Sequence, residues 1–251
     1  SAFLYRSYDD FSSLTSASTC ALLAGSEPPA ETDCSVALVA RNQAKLEAAC
    51  EEIGPEAIAI RADLTNADEA AAIVDRCVAR LGRLDALINN AGWSPSATIA
   101  QTNAAMAKEI FAVNAVAPCV SISRAWPIFE RQFVNSGGPT NNEARGGVIV
   151  NISSIATVDP FEILYAYAAA KASVNLLAKS AAKEGAKIGV TAFAIAPGAV
   201  ETELLRSLVS ELYLSKDKTL APEAVARVVV ECIEGKRDAE NGQTILMPSP
   251  E

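Results

Sequence analysis

The sequence predicts a single α/β domain built on a doubly wound parallel sheet. Its 251 residues suit one large α/β domain, and half of them are apolar, which allows a sizeable core. From residue 36 onward, strand signals alternate with helix signals, and such repeats favour parallel strands joined by right-handed crossovers. No linker composition and no internal repeat divides the chain, so one domain over residues 1–251 is expected.

Local patterning predicts each element in turn. Residues 36–40 (VALVA) form a continuous apolar run, as expected of a strand covered on both faces. Asn42 can cap the next helix and Gly54 can end it, while Pro118 and Pro127 predict kinks or breaks in a long helical region. The expected strands are 36–40, 57–62, 86–90, 148–152, 190–195 and 244–247, and the expected helices lie within 42–54, 66–82, 103–133, 164–187, 204–214 and a segment that begins at Pro222.

The composition excludes several classes of function. The formal net charge of −9 disfavours phosphate backbones and anionic membrane surfaces, so neither nucleic acid nor membrane is an expected partner. No apolar run approaches the roughly 20 residues that span a bilayer, and residues 1–10 do not have the pattern of a secretory signal. The sequence has no histidine and its six cysteines form no CxxC pair, so the common zinc sites and histidine-activated nucleophiles are excluded and no metal is expected. We interpret the cysteines as reduced core thiols of a cytoplasmic protein.

A tyrosine and a lysine carry the clearest chemical signal. Tyr167 and Lys171 lie four residues apart in an expected helix, so both side chains project from one face. The lysine charge favours the phenolate and is expected to lower the pKa of the tyrosine, which could then exchange a proton with an alcohol or carbonyl oxygen. A solvated pair on the helix surface is the alternative interpretation.

Two further polar residues fit the same chemistry. Ser154 follows an expected strand, and the carboxyl ends of parallel strands form the ligand crevice of such folds. A hydroxyl there can hydrogen-bond the same substrate oxygen. Asn114 lies on the long helical region that precedes this strand.

These residues belong to a wider pattern that resembles the short-chain dehydrogenase/reductase family. The resemblance covers residues 36–251, and its motifs stand in the family's order and spacing. It implies a Rossmann-like fold and an NAD(P)-dependent oxidoreductase that acts on a carbonyl/alcohol pair. The motifs are NNAG at 89–92, Asn114, NISS ending at Ser154, YAAAK at 167–171, PG followed by VET at 197–202, and GQ at 242–243 before the last strand.

The resemblance implies a role for each matching residue. Tyr167 would be the general acid/base, Lys171 would lower its pKa and hold the nicotinamide ribose, Ser154 would orient the substrate oxygen, and Asn114 would position a water in a proton relay. The residues implied near the cofactor are Asn90, Ala91 and Gly92 in a turn, Asp63 and Leu64 beside the adenine, Pro197 and Gly198 beside the nicotinamide, and Thr202 at its carboxamide or the diphosphate.

Several of these cofactor positions also have an ordinary structural interpretation. Asn90 could serve only to stabilise the sheet, and Asp63 could be an ordinary residue of the segment that leads into the next helix. Gly198 could form only a turn, and Thr202 could cap the helix that follows it. Arg41 directly follows the strand at 36–40. Relatives that prefer NAD usually have an acidic residue one position earlier, and this sequence has Ala40 there. An arginine can bind a 2′-phosphate, so NADP(H) is favoured over NAD(H), although an exposed arginine is also ordinary there.

The first nucleotide-binding turn departs from the family pattern. The family opens with a strand and a TGxxxGxG turn, in which glycines let backbone N–H groups approach the diphosphate. Here Thr15 matches, but Ser16, Cys20 and Leu22 replace the glycines, and residues 11–14 (FSSL) make a poor buried strand. A side chain at the close-approach position should clash with a diphosphate bound in the family manner, which puts cofactor binding in question.

Residues 1–35 therefore form an atypical first βα unit, which also contains the helix-breaking pair Pro28 and Pro29. The spacing from Leu22 to Val36 is nevertheless that of the family. Three explanations stay open: a variant that has lost tight cofactor binding, a segment translated from a locally shifted reading frame, or a first strand rebuilt from residues 1–13.

Two functions compete on these observations. One is an NADP(H)-dependent oxidoreductase with the complete catalytic set, and the other is a non-catalytic binding or scaffold protein of the same fold. An apolar or moderately bulky substrate is expected from Trp93, Ile155, Phe161, Leu164 and the segment 199–214. The resemblance also implies a homodimer or homotetramer through the long helices, which agrees with apolar stretches at 113–120 and 174–182 that could equally pack only on the sheet.

Overall fold

The computed structural model describes residues 20–25, 34–141 and 144–250. Among these described residues, seven strands form one sheet, and their spatial order is the third, second, first, fourth, fifth, sixth and seventh strand along the chain. The strands are β1 (Cys20–Gly25), β2 (Cys34–Ala40), β3 (Ala57–Arg61), β4 (Ala86–Asn89), β5 (Gly147–Ile152), β6 (Val190–Pro197) and β7 (Thr244–Met247).

Seven α-helices connect or flank these strands in the described part of the chain. Asn42 caps the first helix by accepting a hydrogen bond from the Lys45 backbone N–H, and Asn66 caps the second in the same manner, as the sequence predicts. The helices are α1 (Gln43–Ile53), α2 (Ala67–Leu81), α3 (Ala104–Phe111), α4 (Ala117–Asn135), α5 (Tyr165–Gly185), α6 (Glu203–Leu208) and α7 (Pro222–Ile233).

The helices cover both faces of the sheet. Helices α2, α4 and α5 contribute to an apolar cluster on one face, where Ile73, Phe129 and Ala178 are buried with Ile149 of β5. Helices α1 and α7 pack on the other face around Phe193. The pairs β2–β3, β4–β5, β5–β6 and β6–β7 are parallel, which confirms the predicted doubly wound α/β fold.

Strand β1 departs from this parallel arrangement. It fills the central position between β2 and β4 but runs antiparallel to both, with Cys20 opposite Val39 and Gly25 opposite Cys34. Only residues 26–33 separate β1 from β2, and a parallel crossover needs a dozen or more residues, so the connection length favours the antiparallel pairing.

Strand β1 lies where the family alignment places the nucleotide-binding turn. Cys20 and Leu22, which that alignment assigns to the turn, lie within β1. Residues 11–14, which make a poor buried strand by sequence, lie outside the described residues, as do Thr15, Ser16 and the pair Pro28 and Pro29.

The long helical region has an irregular centre. The prediction of one region over 103–133 is confirmed with a break, because a π-helical turn at Ala112–Val116 separates α3 from α4. Pro118 lies in the first turn of α4, and Pro127 lies within that helix. By length and composition alone, Ala104–Asn135 could cross a membrane, but buried core helices share this property, and Phe129 of α4 packs on the sheet.

The predicted helix at 204–214 is shorter than expected, since α6 ends at Leu208. Arg206 Nη1 donates to the Leu214 carbonyl at 2.7 Å, and its Nε donates to the Glu201 carboxylate at 2.7 Å. These contacts turn the segment after α6 back toward the helix, which explains why helical periodicity does not continue to 214.

Two buried asparagines join the sheet to α5. Asn89 Nδ2 donates to Asn151 Oδ1 at 2.8 Å, across the neighbouring strands β4 and β5. Asn151 Nδ2 in turn donates to the Val174 carbonyl of α5 at 3.1 Å. Both side chains are buried, so this chain of hydrogen bonds fixes the helix against the strand ends.

We expect Asn151→Ala to lower the free energy of unfolding by about 2 kcal/mol, because it removes two buried hydrogen bonds and leaves their partners unsatisfied. Urea denaturation measures the change. The matched control is Asn175→Ala on α5, which should cost less because it removes one hydrogen bond, from Nδ2 to the Thr157 hydroxyl at 3.2 Å, and an Oδ1 that has no partner among the described residues. Equal losses in both variants would contradict a docking role for Asn151.

Candidate active site

The carboxyl ends of β4, β5 and β6 meet at a cavity of about 520 Å³. The first turns of α5 close one side of the cavity, and the segment that follows β6 closes another. Most of the residues that the sequence assigns to the active site are brought together here. Those that line the cavity are Asn90, Gly92, Ser154, Tyr167, Lys171, Pro197, Gly198 and Thr202.

Tyr167 and Ser154 are directly connected. The Ser154 side chain hydrogen-bonds the Tyr167 phenol, and its Oγ also accepts from the Ala156 backbone N–H at 3.2 Å. Ser154 caps the short 3-10 turn after β5, so the strand end and this turn fix the position of the hydroxyl. The two hydroxyl groups therefore interact where both line the cavity.

The predicted effect of Lys171 on the tyrosine is wrong. Burial raises the pKa of Tyr167 to about 12, and the hydrogen bond from Ser154 offsets only part of that rise. Lys171 Nζ lies 5.8 Å from the centre of the Tyr167 ring, which is a contact with the aromatic ring. The phenol therefore stays protonated at neutral pH in this arrangement.

Lys171 lies on α5, and its buried side chain reaches the end of β5. Its side chain is only 3% exposed, and Nζ donates to the Ile152 carbonyl at 2.7 Å. Burial lowers the pKa of Lys171 to about 8, because the enclosed ammonium has lost most of its hydration. An ammonium carries three N–H donors, so at least one further donor is available to a ligand oxygen in the cavity.

Asn114 lies in the π-helical turn, and its side chain holds the backbone of the segment after β4. Its Nδ2 donates to the carbonyls of Trp93 at 2.7 Å and Ile110 at 2.8 Å, while Oδ1 accepts from the Trp93 backbone N–H at 3.3 Å. The side-chain amide is thus used to hold the segment after β4. π-Helical turns of this kind are frequent at functional sites.

Gly92 explains how these groups can approach one another. A Cβ at this position would lie 3.3 Å from Asn114 Oδ1 and 3.4 Å from Lys171 Nζ. The first distance is tighter than most Cβ contacts and the second is a close van der Waals contact, so glycine lets the segment after β4 pass beside the buried ammonium with room to spare.

A second, smaller pocket of about 50 Å³ lies at the ends of β2, β3 and β4. Hydrogen bonds from the Thr65 backbone N–H and hydroxyl hold the Asp63 carboxylate and lower its pKa. Arg41 is exposed at the rim of this pocket. The sequence-predicted residues that line it are Arg41, Asp63, Leu64, Ala91 and Gly92.

The structure also supports some of the ordinary interpretations. Thr202 Oγ1 accepts from the Leu205 backbone N–H at 3.2 Å and therefore caps α6, although Thr202 also lines the cavity. A Cβ at Gly198 would overlap Ser249, so close packing of the chain requires this glycine.

Only some of the residues expected to line a substrate pocket line the cavity. Phe161 and Leu164 line the cavity, whereas Trp93 lines the smaller pocket and Ile155 is not among the described residues that line either one. Sequence reasoning missed Glu162 and Ile163, which line the cavity and lie between Phe161 and Leu164 in the sequence. Their place in the segment that joins Ser154 to Tyr167 could have indicated that they line the site.

Within the described residues, no group of three or more cysteine, aspartate or glutamate side chains is arranged to hold a metal ion.

Comparison with known proteins agrees with this architecture. A family model described as short chain dehydrogenase matches residues 24–212. The chain is 30% identical over 209 residues to the short chain dehydrogenase/reductase astE of Aspergillus oryzae, covering 79% of this chain and 76% of that protein. It is 33% identical over 193 residues to the 3-oxoacyl-(acyl-carrier-protein) reductase FabG of Staphylococcus aureus, covering 75% of this chain and 72% of that protein.

A solved structure shares the fold. The 3-ketoacyl-(acyl-carrier-protein) reductase of Brucella melitensis, solved in complex with NADH, superposes with a TM-score of 0.75 at 23% identity and covers 84% of each chain. The family model spans most of the sequence. The chain belongs to the short-chain dehydrogenase/reductase family of oxidoreductases.

Proposed function

We propose that this protein is an NADP(H)-dependent oxidoreductase that interconverts a carbonyl compound and an alcohol. The observation that carries the proposal is that the half-buried Tyr167 and the buried Lys171 meet Ser154 at one cavity. Burying an ammonium costs folding free energy, and perturbed pKa values of this kind cluster at functional sites.

The chemistry of the cavity fits the nicotinamide end of a dinucleotide. Lys171 offers N–H donors to ribose hydroxyl groups, Gly92 lets the backbone approach closely, and Asn90 and Thr202 add polar groups. When bound, the cofactor supplies or accepts the hydride. Arg41 at the neighbouring pocket would meet a 2′-phosphate, which favours NADP(H) over NAD(H).

In the proposed reaction, the residues of the chain manage one oxygen and one proton. Ser154 hydrogen-bonds the substrate oxygen and aligns it with the phenol. Because the pKa of Tyr167 is raised, the phenol is protonated at neutral pH and donates its proton to the carbonyl oxygen during reduction. In the reverse direction, the ionised Tyr167 accepts the alcohol proton. Asn114 acts by fixing the segment after β4, which forms one wall of the site.

A non-catalytic binding or scaffold protein is the alternative, and the direction of β1 favours it. An antiparallel β1 has its carboxyl end at the opposite edge of the sheet from the cavity. The described part of the first strand therefore does not lead into a diphosphate-binding turn at the cavity. Titration with NADPH and NADH separates the two functions, since a scaffold protein would bind neither.

We also propose a homodimer or homotetramer of a cytoplasmic protein. Val116 and Leu176 are exposed apolar residues at the predicted oligomer surfaces, with exposed fractions of 42% and 66%. Apolar side chains of this size on long helices are typical of surfaces between subunits. Cys50, Cys77, Cys119 and Cys232 form no disulfide among the described residues, as is typical of proteins in reducing compartments.

Tyr167→Phe should lower kcat/KM for carbonyl reduction by about 10²- to 10⁴-fold, because the proton donor is removed. Steady-state kinetics with NADPH measures the loss, and an NADPH titration checks that the variant still binds the cofactor. Tyr165→Phe is the matched control, since it makes the same change two residues earlier on an exposed side chain. Undiminished activity of Tyr167→Phe would contradict the proposed mechanism.

Arg41→Ala should weaken NADPH binding by about tenfold or more and leave NADH binding unchanged, because a 2′-phosphate loses a charge-assisted hydrogen bond. Fluorescence titration with each cofactor measures the two dissociation constants. Arg145→Ala is the control, since Arg145 precedes β5 at the opposite edge of the sheet. Equal losses for both cofactors in Arg41→Ala would exclude recognition of the 2′-phosphate by this residue.

The pKa of Lys171 predicts a pH dependence of stability. Its folded-state pKa of about 8 lies below the ordinary value of 10.5, so the unfolded state binds more protons between these values. The penalty for burying the ammonium is fully present below about pH 8 and is relieved as pH rises. Relative to Lys171→Met, the unmodified protein should gain about 2 kcal/mol of unfolding free energy between about pH 7 and about pH 9.5.

Urea denaturation across that range measures the gain. Lys179→Met, which changes an exposed lysine of the same helix, should retain the pH dependence of the unmodified protein. The same pH dependence in Lys171→Met and in the unmodified protein would show that the ammonium is not buried in solution.

A further inference from the structure

The cavity is strongly asymmetric in its chemistry. Its catalytic end carries Ser154, Tyr167 and Lys171, while the opposite walls are almost entirely apolar. Among the described residues that line it, the charged side chains are Lys171, which contacts the Ile152 carbonyl, and the acidic Glu162. The apolar walls consist of Phe161, Ile163, Leu164, Val200, Leu204, Leu205, Leu208, Val209 and Leu214.

Ile163 occupies an unusual backbone conformation in one of these walls. Its φ of 63° lies in the left-handed region, where a β-branched residue is a genuine outlier among non-glycine residues. Its carbonyl accepts a hydrogen bond from the Ala97 backbone N–H at 3.1 Å, so the backbone is held in place by the segment after β4. Strain of this kind persists where the surrounding structure imposes it, and it clusters at ligand sites.

A glycine would satisfy the same backbone without strain, so an isoleucine here points to a use for its side chain. The side chain lines the cavity between Phe161 and Leu164 and narrows it with an apolar, branched group. No basic side chain among the described lining residues faces it across the apolar part, and Glu162 would repel an anion. A carboxylate or phosphate on the substrate would therefore be desolvated without a partner.

We propose that this apolar part of the cavity binds the hydrocarbon group of an uncharged carbonyl compound or alcohol, and that Ile163 is a specificity-determining residue of its wall. The inference rests on the proposed oxidoreductase function for turnover, but the binding of an uncharged apolar group does not require turnover. Substrates that carry an anionic group into this part of the cavity are disfavoured by the same walls.

A series of methyl ketones tests the substrate class. From butan-2-one to octan-2-one, kcat/KM with NADPH should rise about fourfold for each added methylene, as complete burial of that group implies. The matched anion 7-oxooctanoate should react with a kcat/KM about tenfold or more below that of octan-2-one, because its carboxylate meets no cation. A flat series, or an anion as good as octan-2-one, would overturn the inference and leave the proposed function intact.

Displacement of the uncharged dye Nile red, followed by fluorescence, tests binding without turnover. Stronger displacement by octan-2-one than by 7-oxooctanoate supports the apolar subsite even if no ketone is reduced, in which case the proposed function fails alone. Equal displacement by the two compounds overturns the subsite.

Two substitutions of Ile163 separate the wall from the strain. Ile163→Ala and Ile163→Gly should both weaken the chain-length preference to the same extent, because both remove one branched side chain from the apolar wall. The Tm of the Ile163→Gly variant should nevertheless be about 2–4 °C higher than that of the Ile163→Ala variant, since only glycine relieves the strain of the positive φ. Leu212→Ala, a change at a side chain that is 88% exposed and does not line the cavity, should leave the preference unchanged. A retained preference in both Ile163 variants would overturn the role of this residue.

Discussion

The burial of the Lys171 ammonium is the constraint on which the candidate site depends. The hydrogen bond from Nζ to the Ile152 carbonyl holds the second turn of α5 against the end of β5, and Tyr167 lies one turn earlier on the same helix face. Gly92 lies against the same ammonium from the segment after β4. An enclosed charge tolerates little loss of its hydrogen bonds, so it fixes the distances between these three segments more strictly than apolar contacts would.

Local sequence signals were sufficient for the elements whose identity depends on local periodicity. The apolar run of β2, the capping asparagines of α1 and α2, and the helical spacing of Tyr167 and Lys171 each needed only neighbouring residues. The position of Ser154 was predictable because parallel strands bring their carboxyl ends to one edge of the sheet, whereas the other polar residues near the cavity were expected from the family resemblance. The use of the Asn114 amide by backbone groups was not predictable, since its partners come from a distant segment and from a π-helical turn.

The features that sequence reasoning missed all depend on tertiary surroundings. The direction of β1 follows from the short connection to β2, and the end of α6 follows from contacts between Arg206 and the segment after it. The raised pKa of Tyr167 reflects desolvation by the complete fold, which the spacing of two residues cannot reveal. The left-handed conformation of Ile163 is invisible in a residue type that normally avoids it.

The π-helical turn at Ala112–Val116 links the evolution of the site to that of the core. Such a turn contains one residue more than a regular helix, and each residue rotates an α-helix by about 100°. A deletion that restored regular geometry would therefore turn the buried face of α4, including Phe129, away from the sheet. Asn114 would leave its backbone partners in the same event. A change in the number of residues in the turn would therefore also change which face of α4 packs on the sheet. The number of residues in the turn is for this reason more constrained than their identity.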